Sequence, residues 1–298
     1  MPPVLSVDGL SVHAATSAGD LALIDDVTVT VEEGEIVGLI GESGSGKTTT
    51  VRAVLGLLDH NVSVRAGSAW ILGRQVCGPR TCDIRWARGR HAGIVFQGAS
   101  SSLDPLMRIG AQLREVVRTH LPDLDRGARE QRIETVVRRM GFTDVARLLR
   151  SYPHQLSGGQ RQRVAIALAV VTGPELLVAD ECTSALDVTT QAEVISLLQS
   201  LTGGDRFGSP GSRMAMIFVT HDLLLARQIC TRIVVMYRGR VVESGPAAQI
   251  VDNPRHEYTK ALLAAIPQWS DEPPVLSKAD SAQPIPGGVR CPARAGPR

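Results

Sequence analysis

Eight successive residues, Gly41-Glu42-Ser43-Gly44-Ser45-Gly46-Lys47-Thr48, carry the plainest chemistry in the chain. They fit the pattern G-x-x-x-x-G-K-[ST]. Glycines there let the backbone turn tightly enough for successive N–H groups to face one concavity, where phosphate oxygens can sit. Lys47 would reach the outer phosphates, and the Thr48 hydroxyl would hold Mg²⁺. The chain has three lysines against 29 arginines, and it spends one of them here. A compact ammonium fits between phosphates where a planar guanidinium would not. With Gly41, Ser43, Gly44, Ser45, Gly46 and Thr49 around that lysine, the stretch reads as a nucleotide cradle.

Two other groupings have chemistry of their own. Asp180-Glu181 follows an apolar run, 176–179. An acidic pair leaving a buried strand at its C-terminal edge can sit beside a phosphate loop. Asp180 would then bind Mg²⁺ through water, and Glu181 could polarise an attacking water as general base. Leu156-Ser157-Gly158-Gly159-Gln160, followed by Arg161-Gln162-Arg163, is a second anion cradle: a serine and two glycines opening a helix. One phosphate loop rarely needs a second cradle about 110 residues away, so its expected use is on another subunit's nucleotide.

The elements that must position these groups follow from periodicity. Residues 35–40 read as a short buried strand entering the loop, and 49–58 as a helix leaving it. Strand character returns at 175–180, 214–219 and 232–236, with helices at 160–171, 189–201 and 223–229. Strands alternating with helices predict an α/β core around a mostly parallel sheet. Upstream, 4–31 reads as two strands joined by a small polar loop at 14–20; Val27, Val29 and Val31 alternate with Thr28 and Thr30. Residues 66–72 and 93–96 are further strands, with a loop over 77–90. Helical spacing follows at 106–120, 126–140 and 143–150, where seven arginines between 126 and 150 predict a solvated face, the alternative being a face that docks on a partner. The Gly- and Ser-rich stretch 202–213 reads as a mobile loop. Seven prolines from Pro267 onward predict an extended or disordered tail.

Composition narrows the class. A length of 298 residues suits one large domain or two modest ones. A net charge of +2 gives no sign of bulk nucleic-acid binding. The five cysteines are scattered, without a CxxC pair, which argues against a disulfide framework and for a reducing cytoplasm. No secretory signal is visible. The longest apolar run, 164–171, is too short to cross a bilayer, so any membrane role is expected to come through a partner.

Taken together these motifs resemble the ATP-binding subunits of ABC transporters. The phosphate loop, Gln97, the Leu156–Gln160 signature, Asp180-Glu181, Ser184-Ala-Leu-Asp187 and His221 stand in that family's order, over about residues 4 to 267. The resemblance implies a P-loop NTPase (RecA-like) α/β core with a mostly parallel sheet, an N-terminal antiparallel β subdomain and an inserted α-helical subdomain. The ATP-binding core would be 1–97 and 155–245, the helical insertion 98–154, a C-terminal helical motif 246–267, and the tail 268–298.

It further implies that two ATP-binding subunits pair head to tail, each ATP lying between one phosphate loop and the other's signature. Ser157, Gly158, Gly159 and Gln160 would then serve the partner's ATP. Gln97 would touch Mg²⁺ and the attacking water, His221 the γ-phosphate, and Asp187 would align the two sites. ATP and Mg²⁺ are the expected cofactors. The expected partners are a related, non-identical ATPase, two membrane permease subunits and an extracytoplasmic solute-binding protein, with no nucleic acid. The place implied is the cytoplasmic face of the cell membrane.

Within the family, His256-Glu-Tyr-Thr-Lys-Ala-Leu-Leu-Ala-Ala-Ile-Pro267 resembles the C-terminal motif of oligopeptide and dipeptide importers. Ser151-Tyr-Pro-His-Gln155 and Ser102-Leu-Asp-Pro105 point the same way. Nickel and glutathione importers share much of this, and a soluble, non-transport ABC ATPase is the other alternative. Three departures stand out. Cys182 replaces the proline usual after the acidic pair, which predicts a looser turn. Cys291 alone in the tail predicts no iron–sulfur cluster. No Phe, Tyr or Trp precedes Trp70, where the family stacks adenine on an aromatic; His13 is the expected substitute, or an apolar wall from Leu21 and Leu23.

Overall fold

In the computed structural model, residues 2–17, 19–80, 82–98, 102–184 and 186–266 are described. Two sheets pack on a shared core. The first is antiparallel, in the order β2-β1-β4-β5, from β1 (Leu5–Thr16), β2 (Gly19–Val31), β4 (Val62–Ile71) and β5 (Arg74–Cys77). Leu5 pairs with Val31, Val7 with Val29 and Leu10 with Val27, and all six are buried. The alternation with Thr28 and Thr30 therefore does what a one-sided sheet requires, apolar side chains inward and hydroxyls outward.

The second sheet has six strands in the order β12-β11-β3-β10-β7-β6. These are β3 (Ile36–Ile40), β6 (Ala92–Val95), β7 (Leu176–Asp180), β10 (Ala215–Thr220), β11 (Arg232–Tyr237) and β12 (Arg240–Pro246). The first five run parallel, and only β12 is antiparallel. Every residue of β3, β7 and β10 is buried. Their unbroken apolar runs are what a parallel sheet covered on both faces demands. Helix α1 (Lys47–Val54) lies between the sheets and contributes Val51, Ala53 and Val54 to the common core.

After β6 come α2 (Ile109–His120), α3 (Arg126–Arg139) and α4 (Val145–Arg150). Asp125 and Asp144 cap α3 and α4, accepting the N–H of Ala128 at 2.8 Å and of Arg147 at 2.9 Å. Helix α5 (Gly158–Val170) precedes β7, and α6 (Val188–Gly203), α7 (Leu223–Ile229), α8 (Ala247–Asp252) and α9 (Glu257–Ala264) follow. Among the described residues no helix is long and apolar enough to cross a membrane.

Several expectations change. The small polar loop at 14–20 is mostly strand, since Ala14 pairs with Leu21 and Thr16 with Gly19. The stretch read as a mobile loop carries a hairpin, β8 (Asp205–Arg206) and β9 (Ser209–Arg213), whose Phe207 is buried. Two of the seven arginines hold it. Arg132 donates to the carbonyls of Thr172 at 2.7 Å and Phe207 at 2.9 Å; Arg139 donates to Asp205 at 3.0 Å and Ser200 at 2.7 Å. Arg126, Arg138, Arg147 and Arg150 are solvated as expected. The expectations for the tail and for Cys291 fall outside the described residues.

Candidate nucleotide site

The phosphate loop connects β3 to α1, and its glycines are there for space. A Cβ on Gly46 would lie 2.6 Å from Ile24 Cγ2, and the residue has φ +105°, a conformation that side chains resist. Gly44, at φ +80°, faces open space. No side chain caps the N-terminus of α1, so its first N–H groups remain available to an anion. Ser45 Oγ is buried and has no partner among the described residues. Lys47 is 4 % exposed. Its ammonium donates to the carbonyls of Gly41 at 2.6 Å and Glu42 at 2.9 Å. Burial lowers its pKa, against the charges of Glu181, Asp180 and Glu42, which raise it. A buried cation beside an uncapped helix start fits a triphosphate.

Strand order brings the remaining groups to the same edge. With β10 between β3 and β7, Thr220 lies opposite Ile40 and Val219 opposite Asp180. The phosphate loop, His221 and the acidic pair thus leave the sheet side by side at its carboxyl end, where open α/β sheets bind ligands. The Thr48 hydroxyl donates to Asp180 Oδ1 at 3.3 Å. Asp180 is 6 % exposed and its pKa is raised, first by burial and further by Glu181, against the Thr48 hydrogen bond. Among the described residues no three His, Cys, Asp or Glu side chains converge as a metal cluster. A divalent ion here would therefore rest on one carboxylate, one hydroxyl and oxygens from phosphate and water.

Glu181 sits in a left-handed conformation, φ +46°, with its N–H donating to Val219 O at 3.0 Å. Gln97, just beyond β6, donates through Nε2 to Glu181 Oε2 at 3.1 Å. His221 Nδ1 lies 3.7 Å from Glu181 Oε1. The carboxylate is thereby held by an amide on one oxygen, with an imidazole near the other but beyond hydrogen-bond distance. After it, the turn at Cys182 is closed rather than loose, since Ser184 donates N–H and hydroxyl to Glu181 O at 3.2 and 3.0 Å. The Cys182 thiol, buried, has its pKa pushed up to about 12 and is chemically quiet.

A cleft of about 700 Å³ gathers Ser43, Gly44, Gly46, Lys47, Thr48, Thr49, Gln97, Glu181 and His221. Gly41 and Ser45 lie beneath the loop instead, a Cβ on Gly41 falling 2.3 Å from Met236 O and 2.6 Å from Ser45 Oγ. Ser157, Gly158, Gly159, Gln160 and Asp187 do not line the cleft. They cluster elsewhere. Ser157 caps α5, and its hydroxyl accepts Gln160 N–H at 3.2 Å while Gln160 Oε1 accepts Ser157 N–H at 3.0 Å. Asp187 caps α6 through Thr190, and a Cβ on Gly159 would come 2.6 Å from Thr190 Cγ2. The same surface leaves Gly158 facing open space.

The wall of the cleft bears on the expected base-binding residues. His13 does not line the cleft and is bound to Asp20 at 3.1 Å, which Arg65 also holds. Leu23 lines the cleft, and Leu21 does not. Sequence reasoning also missed Tyr258, whose hydroxyl accepts the Glu42 N–H at 3.0 Å. Its motif was read only as a marker of subgroup, and no local signal ties it to a loop 216 residues away.

Comparison with known proteins finds relatives of the whole chain. A family model described as ABC transporter matches residues 24–184, and one described as oligopeptide/dipeptide transporter, C-terminal region, matches 242–292. The chain is 40% identical over 296 residues to a Brucella melitensis protein named a peptide import ATP-binding protein, covering 96% of this chain and 84% of the relative. A Brucella abortus protein named likewise is 40% identical over 295 residues, covering 99% and 85%. Among solved structures, cbiO1 of Clostridium perfringens, part of the ABC transporter complex cbiONQ, superposes with TM-score 0.69 at 25% identity, covering 85% of this chain and 92% of that one. A dimeric ATP-binding cassette in a post-hydrolysis state with ADP and Pi gives TM-score 0.67 at 27% identity, covering 82% and 98%.

Proposed function

This chain belongs to the ABC transporter family as an ATP-binding, ATP-hydrolysing importer subunit, and from that premise we propose that the solute it energises is a peptide. The C-terminal region match and the relatives' names support that solute class. Residues 1–97 with 155–245 serve as the ATP-binding core, 98–154 as an inserted helical subdomain and 246–267 as a C-terminal helical motif.

In the proposed site Lys47 exchanges carbonyl partners for the outer phosphates of ATP, and the α1 N-terminus with Ser43, Gly44 and Thr49 surrounds them. Thr48 and Asp180, with Gln97 nearby, hold Mg²⁺. Mg²⁺ neutralises charge between the phosphates when bound. Glu181, oriented by Gln97, accepts the proton of the attacking water, and His221 contacts the γ-phosphate. The carboxylate is the natural acceptor because it is the anion that faces both the loop and His221.

One observation carries the two-chain reading: the cleft collects the phosphate loop, Gln97, Glu181 and His221 but not the Ser157–Gln160 cradle. A second ATP-binding subunit, related but not identical, supplies its own cradle to this ATP and receives Ser157, Gly158, Gly159 and Gln160 at its own, with Asp187 aligning the pair. Two membrane permease subunits and an extracytoplasmic solute-binding protein complete the importer, and the chain sits peripherally at the cytoplasmic membrane face.

The test is Ser157→Arg. The isolated full-length chain should bind MgATP as before, while hydrolysis and labelled-peptide uptake by the assembled importer collapse. Loss of ATP binding by the isolated variant would place the cradle in the chain's own site and refute the shared arrangement. Purification from membranes with bound subunits identified would show whether the sister ATPase is a different chain.

A further inference from the structure

We propose that Tyr258 is a positioning residue for the phosphates of ATP, acting from the C-terminal helix through the Glu42 backbone. The proposal rests on the reading that ATP binds in the cleft. Glu42 is the second residue of the phosphate loop, and its peptide groups are gripped on both sides. Its N–H donates to the Tyr258 hydroxyl at 3.0 Å. Its carbonyl accepts Lys47 Nζ at 2.9 Å and Ser45 N–H at 3.2 Å. The Tyr258 oxygen is thus one peptide unit from the lysine that meets the outer phosphates.

The tyrosine is itself held firmly. Its ring packs on Tyr237, with centroids 4.2 Å apart and planes tilted by 33°. Tyr237 ends β11, and the following turn returns to the loop, Gly239 N–H donating to Ser45 O at 3.0 Å. Loop residues Glu42 and Ser45 are therefore braced from one aromatic pair and the turn beside it. Helix α9 is anchored at its start, because Glu243 of β12 accepts the N–H of Arg255 at 2.8 Å and of His256 at 3.1 Å. Thr259 is fully buried. A glycine-rich loop has much backbone freedom to lose on closing round phosphates. A brace that orders it beforehand lowers that cost at binding. Removing the brace should weaken phosphate binding without altering the reacting groups, none of which Tyr258 touches.

Two variants of the full-length chain separate this from simple packing. Tyr258→Phe keeps the ring on Tyr237 and removes one oxygen. Tyr258→Leu removes both. Equilibrium titration with MgATP should give a Kd raised about 2- to 12-fold in Tyr258→Phe, the range expected for one neutral hydrogen bond. Tyr258→Leu should show a similar rise, and only it should lower the melting temperature by several degrees. Competition with inorganic tripolyphosphate should weaken by the same factor, since the effect passes through phosphates. In the assembled importer KM for ATP should rise while kcat holds within twofold. A wild-type Kd in Tyr258→Phe, or a Kd that follows melting temperature across both variants, would overturn the proposal. Failure of the wild-type chain to bind MgATP would instead overturn the nucleotide reading beneath it.

Discussion

Replacing Glu181 by Gln is the sharpest test of the hydrolytic arrangement. The carboxylate accepts from Gln97 through Oε2 at 3.1 Å, which orients the group before any water arrives, and leaves Oε1 unbonded among the described residues, 3.7 Å from His221. A carboxamide of the same shape keeps the packing but cannot take a proton at the facing atom. Loss of a positioned general base costs about 10²- to 10⁴-fold in rate, or about 2.7 to 5.4 kcal/mol in activation free energy. ATP affinity should be kept, because the carboxylate bonds to neither the loop nor Lys47. It could even improve, since Glu181 is among the charges that raise the Asp180 pKa and crowd the site. The backbone offers a control. Glu181 has φ +46°, so Glu181→Gly relieves a conformation costing a side chain about 1–2 kcal/mol while adding glycine's own entropy penalty of about 0.5–1 kcal/mol. Folding stability should then lie between that of wild type and about 1.5 kcal/mol above it. Both variants should lose rate by similar factors if the carboxylate alone matters. The assay is single-turnover release of labelled phosphate from ATP by the assembled importer, with ATP binding measured in parallel. A near wild-type rate in Glu181→Gln would refute the general-base assignment.

Base selectivity and acid stability give two more checks. Leu23 gives the cleft an apolar but non-aromatic wall; with the base resting on it, GTP should compete with ATP nearly evenly on wild type, and Leu23→Tyr should tighten ATP by about fivefold to over a hundredfold if the new ring stacks. Strong wild-type preference for ATP in competition titrations would show that the base is held elsewhere. Burial raises the Glu243 pKa, but the hydrogen bonds that its carboxylate accepts from the N–H groups of Arg255 and His256 help to outweigh it, and the carboxyl is held below its ordinary 4.5. The native state therefore binds fewer protons than the unfolded chain, and the stabilisation is complete above pH 4.5 and lost as pH falls through the lowered value. Thermal melts of Glu243→Gln against wild type should differ at pH 7 and converge in acid; a difference independent of pH would contradict this.

The phosphate loop could be recognised from residue order alone because its chemistry is local. A buried strand, a turn with glycines at Gly41, Gly44 and Gly46, and a helix beginning at Lys47 are set by one contiguous stretch, so types and spacing fix what the backbone can do. The same holds for the Ser157–Gln160 helix cap, for the alternation of Val27, Val29 and Val31, and for the all-apolar strands that imply a covered parallel sheet. What local pattern does not contain is which strand lies beside which. Only the order β3-β10-β7-β6 brings Gln97 onto Glu181, 84 residues away, sets His221 beside that carboxylate, and leaves the Ser157 cradle outside the cleft. His13 is the preferred candidate on position, yet in the fold it is bound to Asp20 of β2, which Arg65 of β4 also holds, while Leu23 lines the cleft. Gly and Ser between 202 and 213 looked like a free loop until Arg132 and Arg139, distant in sequence, supplied the hydrogen bonds that hold it. Tyr258 is the extreme case, a side chain whose partner lies 216 residues earlier. Such contacts depend on the summed packing of the whole chain, and no window of sequence carries that information.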